Sequence, residues 1–463
     1  MSSICLELKP EETTRYRTER DPLGEKRVPD DVLYGVQTLR ALENFQISSL
    51  RMDHALITAF AEIKKAAAAA HLELGDLDEP IGQAIIHAAE ELIEGQWQEE
   101  FSLDVFQAGA GTSYNMNVNE VIANRALEII GRARGDHEVI EPNDHVNKGQ
   151  STNDVMPTAM RIACIRGLRP LVEALRELEK SFAKKADEFA DVEKAGRTHL
   201  HDAVPMKLGD EFLAYAQNTR RATDRLASIE ESLLEVPLGG TAVGTGTNAS
   251  PKYAKLAVEN LRDLTGLPLK QSKQRVALQQ SLGDFMALSA AMSCVAVELS
   301  KIANDLRLLN SGPHTGFNEI ELAALQPGSS IMPGKVNPAV AEMLNMVSFH
   351  VLGHGTAITH CAHAGQLELN VMMPYVAYAL LESLHIMRNA VATFDEKCVR
   401  LIKPHREMMR EYAERSVGVA ALYNEERGFM GAAELAKKAI ETGKSVKEVV
   451  AEENKVGTGN GKK

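Results

Sequence analysis

Residues 274–309 read QRVALQQSLGDFMALSAAMSCVAVELSKIANDLRLL and contain no proline. Apolar residues recur through this stretch at steps of three and four, at Leu278, Leu282, Phe285, Leu288, Met292, Val295, Leu299, Ile302, Leu306 and Leu309. This spacing predicts one long helix with a coiled-coil-like seam. Because such a helix would project beyond a small globule, we expect it to belong to a helical bundle shared between subunits.

Shorter apolar stripes at helical spacing occur in residues 171–182, 212–236 and 375–387, each bounded by Gly or Pro. Aromatic residues make up only 5% of the chain, which favours helices over sandwiches and barrels. We therefore predict an all-α protein with three domains. These are an N-terminal helical domain (1–150), a central long-helix bundle domain (151–404) and a small C-terminal helical domain (405–463), with a disordered tail from Lys455.

The net charge of the 463 residues is −13, and no long basic block occurs outside the short C-terminal tail. Nucleic acid is therefore not an expected partner. A negative protein also repels a dicarboxylate at long range, so a site for one must gather hydrogen-bond donors and a lysine locally.

The five cysteines are odd in number and scattered, which predicts reduced thiols. Residues 1–10 have no apolar signal core, and no uncharged apolar run approaches the length of a membrane span. We expect a cytoplasmic protein with no membrane partner.

The most specific local motif is Gly328–Pro338, GSSIMPGKVNP, which precedes a helical stretch starting near Ala339. Taken alone, it could be a flexible surface loop. However, two serines follow its glycine, and Lys335 and Asn337 stand two residues apart, so one segment carries a potential oxyanion, a cation and an amide. This combination favours a functional loop.

Three other motifs accompany this loop: GAGTSYNMN (109–117), QSTND (150–154) and GRTHLHD (196–202). With them, the chain resembles the fumarase/aspartase superfamily over almost its full length. The resemblance implies a three-domain lyase whose central bundle assembles into a tetrameric helical core. It also implies active sites that are each shared by three subunits of a homotetramer.

The resemblance also assigns roles to individual residues. Ser329 is implied to be the general base, with its alkoxide stabilised by backbone N–H groups and by Lys335 when the loop closes. The developing charge is an aci-carboxylate, and substrate binding falls to Thr112, Ser151, Thr152, Asn153, Thr198, Lys335 and Asn337. His199 matches the family's active-site histidine, supported by Glu342, although most lone histidines are structural.

Three features favour ammonia over water as the leaving group. Residues 107–113 and 151–153 resemble the ammonia-lyase branch, and Glu141 stands where hydratases place a histidine. The side-chain oxygen of Asn153 could accept a hydrogen bond from a substrate ammonium. Met373 and His363 depart from both branches, which leaves the leaving group open.

The expected reaction is thus the reversible deamination of L-aspartate, a small dicarboxylic amino acid, to fumarate and ammonia by anti-elimination. The alternatives are a fumarate hydratase acting on L-malate and a non-catalytic structural descendant of a lyase. No cofactor or metal is expected to be required, because the base and the electron sink are Ser329 and the substrate's own carboxylate. Some relatives are nevertheless stimulated by divalent cations.

Overall fold

In a computed structural model, residues 15–459 of the chain are described, and helices dominate them. Cys5 and the absence of a signal core in residues 1–10 lie outside this range. The helices are α1 Val36–Asn44, α2 His54–Leu74, α3 Glu79–Ile93, α4 Thr112–Ile129, α5 Thr152–Glu188, α6 Leu208–Ser228, α7 Glu230–Leu233, α8 Pro251–Thr265, α9 Arg275–Gln280, α10 Gly283–Leu309, α11 Ala339–His363, α12 Met373–Lys397, α13 Arg406–Arg415, α14 Asn424–Thr442 and α15 Val446–Gly459.

Short helical turns and strand pairs connect these helices. The 3-10 turns are Gln98–Glu100, Gly109–Gly111, Val399–Leu401 and Val417–Tyr423, and Pro142–Val146 forms a π turn. The strands are β1 Tyr16–Asp21, β2 Gly24–Pro29, β3 Glu193–Thr198, β4 His201–Lys207, β5 Glu235–Val236, β6 Lys270–Gln271, β7 Ile320–Glu321 and β8 Lys403–Pro404. They pair two by two, β5 with β6 in parallel and the others antiparallel, so the prediction of an all-α fold class is confirmed.

The seam predicted over 274–309 is buried, but it does not lie on one continuous helix. Nine of its ten apolar residues are buried, and Leu278 is half-buried. The chain leaves α9 at Ser281, whose backbone is extended, and α10 begins at Gly283. The Ser281 hydroxyl accepts the Gly283 N–H at 3.1 Å, so a serine cap and a poor helix former interrupt the helix.

The described chain forms two compact units. The first unit contains the chain up to Arg169, Ala227–Ala291 and Gly353–His385, and the second contains Pro170–Leu226, Met292–Leu352 and the chain from Ile386 onward. Their boundaries fall within α5, α6, α10, α11 and α12. The three sequence-based domains describe a different division of the chain, and they stay a prediction.

In the first unit, α2 packs against α3, α4 and α8, and α4 is buried on nearly every side. Asp53 caps α2 by accepting the Ala55 N–H, and Gly75 ends it in the left-handed conformation. This packing holds the N-terminal ends of α4 and α5 in the same unit, where several of the predicted site residues lie.

In the second unit, an aromatic cluster formed by Phe182, Phe189, Phe212, Tyr215 and Phe394 packs through tilted and edge-to-face ring contacts. A smaller apolar cluster joins α14, α15 and the 3-10 turn before α14 through Val419, Leu435, Val446 and Val449. The start of α15 packs in this cluster, and the helix continues to Gly459, into the tail predicted to lack structure from Lys455. Residues 460–463 lie outside the described range.

Among the described residues, α10 is the one helix long and apolar enough to cross a membrane. Half of its most apolar window is buried, and the core helix of a folded domain meets the same criterion. The four cysteines that the structure describes, Cys164, Cys294, Cys361 and Cys398, are free thiols, as predicted.

One buried charge ties α5 to α10 within the first unit. The fully buried guanidinium of Arg161 donates to the Asp284 carboxylate at 2.6 Å and to the Ser232 carbonyl at 2.8 Å. Substituting Asp284→Asn leaves this cation without its counter-charge, so we expect the free energy of unfolding to fall by about 3 kcal/mol. Urea denaturation followed by circular dichroism measures the loss.

The matched control is Glu230→Gln, which breaks the surface pair between Glu230 and Arg169. Because water screens that pair, the expected loss is below about 1 kcal/mol. Equal losses in the two variants would contradict the structural role assigned to the Arg161 pair.

Candidate functional site

The ten predicted site residues fall into two groups, one in each unit. The first unit holds Thr112, Ser151, Thr152 and Asn153, and the second holds Thr198, His199, Ser329, Lys335, Asn337 and Glu342. No comparison or geometric observation tests their catalytic roles, which stay predictions. The structure does show what each side chain contacts within its own unit.

A cavity of about 460 Å³ opens in the first unit beside the N-terminal ends of α4 and α5. Helix N-termini attract anions, because their first N–H groups lack partners within the helix and carry partial positive charge. None of the lining side chains carries a formal charge: Gln37, Thr112, Asn115, Met116, Asn143, Asn147, Gly149, Gln150, Ser151, Thr152, Thr241, Ala242, Thr247 and Asn248. The cavity therefore suits a small polar anion.

Thr112 lines the cavity and follows Gly111, whose backbone is in the left-handed conformation. Gly111 has φ 86°, and a Cβ there would lie 2.9 Å from the sulfur of Met156, so only glycine fits this turn without strain. The Thr112 hydroxyl donates to the Gly109 carbonyl at 3.3 Å, and the side chain is exposed. The motif 109–117 is thus a loop that starts α4 and presents a hydroxyl.

Asp154 fixes the backbone on the other side of the cavity. Its buried carboxylate accepts the Ser151 N–H at 2.9 Å, the Gly239 N–H at 3.0 Å and the Thr241 N–H at 2.9 Å. Burial raises the pKa of Asp154 to about 6, while these hydrogen bonds and the charge of Lys64 lower it. One carboxylate thereby ties the start of α5 to the loop at 239–241.

A buried lysine that the sequence analysis did not single out lies behind the cavity wall. Lys64, on α2, donates to the Asn115 Oδ1 at 2.8 Å, the Asn147 Oδ1 at 2.9 Å and the Gln150 Oε1 at 2.9 Å. Burial lowers the pKa of Lys64 to about 7, whereas the Asp154 charge raises it. The sequence signal was a lysine on the buried face of α2, four residues after Phe60.

The Asn153 side chain is held in one orientation. Its Nδ2 donates to the Ala242 carbonyl at 2.8 Å, and its backbone N–H donates to the Ser151 hydroxyl at 3.2 Å. The amide oxygen is therefore the group left to accept a donor from a ligand. This orientation is the one required by the predicted contact with an ammonium.

Glu141, which in the sequence favours an ammonia-lyase over a hydratase, also has a local structural role. Its carboxylate accepts the Asn143 and Asp144 N–H groups and caps the π turn at Pro142–Val146. The turn supplies two cavity residues, Asn143 and Asn147. A glutamate here thus shapes the cavity wall as well as adding negative charge near it.

In the second unit, the loop Gly328–Pro338 closes on itself. The Gly328 N–H donates to the Lys335 carbonyl at 2.7 Å, and the Asn337 Nδ2 donates to the Gly328 carbonyl at 2.8 Å. A Cβ on Gly328 would lie 2.7 Å from that Lys335 oxygen, which explains the glycine. The conformation of the loop therefore depends on contacts between its two ends.

Within this loop, the Ser329 hydroxyl oxygen accepts two backbone N–H groups, from Ile331 at 3.2 Å and from Met332 at 3.0 Å. Two donors aimed at one oxygen stabilise negative charge on it, as in an oxyanion hole. The side chains of Ile331 and Met332 are 84% and 49% exposed, so the loop presents apolar groups to solvent. Such a loop has apolar surface to bury if it closes over a ligand.

Lys335 and Asn337 also line a cavity of about 800 Å³ in the second unit, together with Arg307 and His405. Glu342, at the start of α11, lies 4.0 Å from Arg307 and is about 40% exposed. Among the described residues, no ion pair joins Glu342 to His199. The predicted coupling of these two residues concerns a pocket shared by several subunits, and a single chain does not test it.

Thr198 and His199 lie at the tip of the β3–β4 hairpin. Thr198 pairs with His201, and the two-residue turn between them, His199–Leu200, has φ values of 56° and 61°. Left-handed backbone is costly for such residues and often marks functional positions. Among the described residues, no hydrogen bond joins this exposed tip to Ser329, Lys335 or Asn337.

Comparison with known proteins supplies the family. A family model described as a lyase matches residues 24–353. Aspartate ammonia-lyases from Bacillus subtilis and Escherichia coli are 48% and 45% identical to this chain. The alignments cover 94% and 95% of this chain, and 91% and 93% of those proteins.

Two solved structures share the fold. One is a fumarate lyase:delta crystallin from Brucella melitensis bound to cobalt, with a TM-score of 0.91, 47% identity and coverage of 95% of this chain and 96% of that chain. The other is a class II fumarase from Schistosoma mansoni, with a TM-score of 0.92, 35% identity and the same coverage. These relatives confirm the predicted superfamily and the carbon–nitrogen lyase class. The chain therefore belongs to the fumarase/aspartase superfamily of lyases, in its aspartate ammonia-lyase branch.

Proposed function

We propose that this chain catalyses the reversible deamination of L-aspartate to fumarate and ammonia, with Ser329 as the general base. The observation that carries the proposal is the Ser329 oxygen, which accepts two backbone N–H groups at 3.2 Å and 3.0 Å. The similarity to aspartate ammonia-lyases, at 43–48% identity, supports the choice of substrate.

In this mechanism, the Ser329 alkoxide removes a proton from the Cβ of L-aspartate, and the electron pair delocalises into the neighbouring carboxylate as an aci-carboxylate. The pair then forms the C=C bond as the C–N bond breaks on the opposite side, and ammonia leaves with the C–N electrons. Serine is a weak base at neutral pH, so the N–H donors of Ile331 and Met332 and the charge of Lys335 must favour its alkoxide. Exclusion of water by the closing loop would strengthen each of these interactions.

Hydroxyls and amides bind the two carboxylates in this scheme. Thr112, Ser151 and Thr152 supply donors from the first unit, and Thr198, Lys335 and Asn337 supply them from the second. The Asn153 oxygen accepts from the leaving ammonium, which its fixed amide orientation supports. His199 is assigned a positioning and charge-balancing role, supported by Glu342.

The second candidate is hydration of fumarate to L-malate, which the similarity to a class II fumarase favours. The same base and the same carboxylate donors serve both reactions, because only the leaving group changes. The L-malate hydroxyl can donate one neutral hydrogen bond to the Asn153 oxygen, whereas the L-aspartate ammonium donates a stronger, charge-assisted one. We therefore propose the ammonia-lyase reaction as the principal activity.

No cofactor enters the proposed steps. Stimulation by divalent cations is a separate part of the proposal, since the Brucella relative is described as bound to cobalt. A cytoplasmic location also remains part of the proposal. Fumarate production in the presence of EDTA, and after adding Mg²⁺ or Co²⁺, distinguishes a required metal from a stimulating one.

The first prediction from the proposed function concerns the leaving group. Ultraviolet absorbance should show fumarate formed from L-aspartate, and L-malate should react at least about 100-fold more slowly, because the polar groups that bind an ammonium reject a substrate that lacks it. Fumarate from L-malate alone would make the chain a hydratase. No fumarate from either compound, in a folded and assembled protein, would contradict both candidates.

The second prediction concerns the base. Ser329→Ala should lower kcat by about 10²- to 10⁴-fold, the usual contribution of a general base, and leave assembly unchanged. The neighbouring exposed Ser330 provides the control, because Ser330→Ala keeps a hydroxyl at 329 and should retain most of the activity. Turnover by the Ser329→Ala variant near that of the control would rule out Ser329 as the base.

The third prediction concerns the proposed homotetramer. Val297, Met346 and Phe349, on α10 and α11, are 55%, 63% and 59% exposed in the single chain. Burying such side chains between subunits is favourable, so Phe349→Glu should shift the protein toward smaller species in light scattering after size exclusion. Activity should fall with it, because each active site is proposed to need three subunits.

Leu23, 81% exposed at the β1–β2 turn, is the control position for this test. Leu23→Glu introduces the same charge away from the long helices and should leave the tetramer intact. A wild-type protein that is a fully active monomer would overturn the shared-site proposal.

A further inference from the structure

Among the described residues, protonated Lys64 is the one positively charged group that hydrogen-bonds to the side chains of the 460 Å³ cavity. The lining side chains are neutral, and the chain as a whole carries a net charge of −13. Lys64 itself is 0% exposed and lies behind that lining. A dicarboxylate entering the cavity would therefore contact neutral hydrogen-bond donors, and the Lys64 ammonium would lie behind these donors.

Each N–H of the Lys64 ammonium has its own acceptor, the amide oxygens of Asn115, Asn147 and Gln150. A lysine ammonium has three donors and no acceptor, so this set saturates it. The same contacts decide which way each amide faces, because each amide must turn its oxygen toward the ammonium. Three cavity side chains are thus oriented by one buried cation.

Through Asn115, Lys64 also orients the hydroxyl of Thr152, which is a predicted donor to the substrate. With its oxygen held by Lys64, the Asn115 Nδ2 points away and donates to the Thr152 hydroxyl oxygen at 3.1 Å. A hydroxyl that accepts in this way keeps its own proton for another partner. Among the described residues, none accepts the Thr152 proton, so that proton can be donated into the cavity.

We propose that Lys64 is a positioning residue for dicarboxylate binding, which acts through Asn115 to make the Thr152 hydroxyl a donor to a substrate carboxylate. This inference rests on the proposed function for the identity of the substrate. The charge of Lys64 also polarises the amides between it and the cavity, which strengthens their donors. Asp154, on α5, is the charged group that compensates Lys64 from the neighbouring helix.

The test compares Lys64→Met with Lys65→Met in the full-length assembled protein. Methionine matches the lysine stem but removes the ammonium, and Lys65 is the adjacent surface lysine paired with Glu90 at 2.8 Å. Lys64→Met should lower kcat/KM for L-aspartate by about 10- to 100-fold, the usual effect of losing a hydrogen bond to a charged group. Lys65→Met should stay within about twofold of wild type, since surface pairs contribute little.

A double-mutant cycle with Thr152→Val distinguishes the proposed positioning role of Lys64 from a merely structural role. If Lys64 acts through the Thr152 hydroxyl, Lys64→Met costs little once that hydroxyl is gone, so the two losses are not additive. Additive losses, or equal effects of Lys64→Met and Lys65→Met, would overturn the proposal. If Lys64→Met does not fold, Asn115→Leu, which breaks the same relay, must show the same loss for the proposal to stand.

Calorimetric binding of succinate keeps this test independent of the reaction. Succinate has two carboxylates and no leaving group, so it binds without turnover. Weakening of its Kd by about tenfold or more in Lys64→Met supports the role of Lys64, even if wild type fails to deaminate L-aspartate. That failure alone would sink the proposed function, whereas an unchanged Kd would sink the role of Lys64.

Discussion

Two opposite charges with no exposure to solvent, the Lys64 ammonium and the Asp154 carboxylate, constrain the first unit's cavity. Burial of an unpaired charge is costly, so each must be surrounded by partners of the right kind. Asp154 therefore fixes backbone at Ser151, Gly239 and Thr241, and Lys64 fixes the amides that face the cavity. Together they hold a neutral, donor-rich surface in place without exposing a charge, which is the kind of preorganisation that catalysis requires.

Unlike the first unit's cavity, the loop Gly328–Pro338 does not depend on buried charges. It is mostly exposed, and contacts between its own ends, rather than burial, define its conformation. The Ile331 and Met332 N–H groups of the loop converge on the Ser329 oxygen. In the proposed mechanism, the donor surface held by Lys64 and Asp154 binds the substrate, and the loop, with its exposed apolar side chains, excludes water at the moment of proton transfer.

Periodicity in the sequence predicted the helical class and the buried seam, because apolar residues at steps of three and four can be buried together only on a helix. The break at Ser281 was missed, because the apolar pattern continues across it and only local capping reveals the end of α9. Motifs found the hydroxyls of Thr112 and Thr152, since these lie in short specific segments. Lys64 was not found, because a lysine in an alanine-rich helix normally lies in solvent. Any residues that other subunits contribute to the proposed pocket depend on assembly, which sequence motifs and the structure of one chain do not describe.

The central proposal is that, in the assembled protein, the first-unit donors of one subunit and the Ser329 loop of another form one site for L-aspartate. A crystal structure of the assembled Ser329→Ala variant soaked with L-aspartate tests this most directly. The account predicts the substrate amino group within hydrogen-bond distance of the Asn153 Oδ1, one carboxylate oxygen on the Thr152 hydroxyl, and Cβ facing residue 329. L-aspartate bound away from these three groups would contradict it.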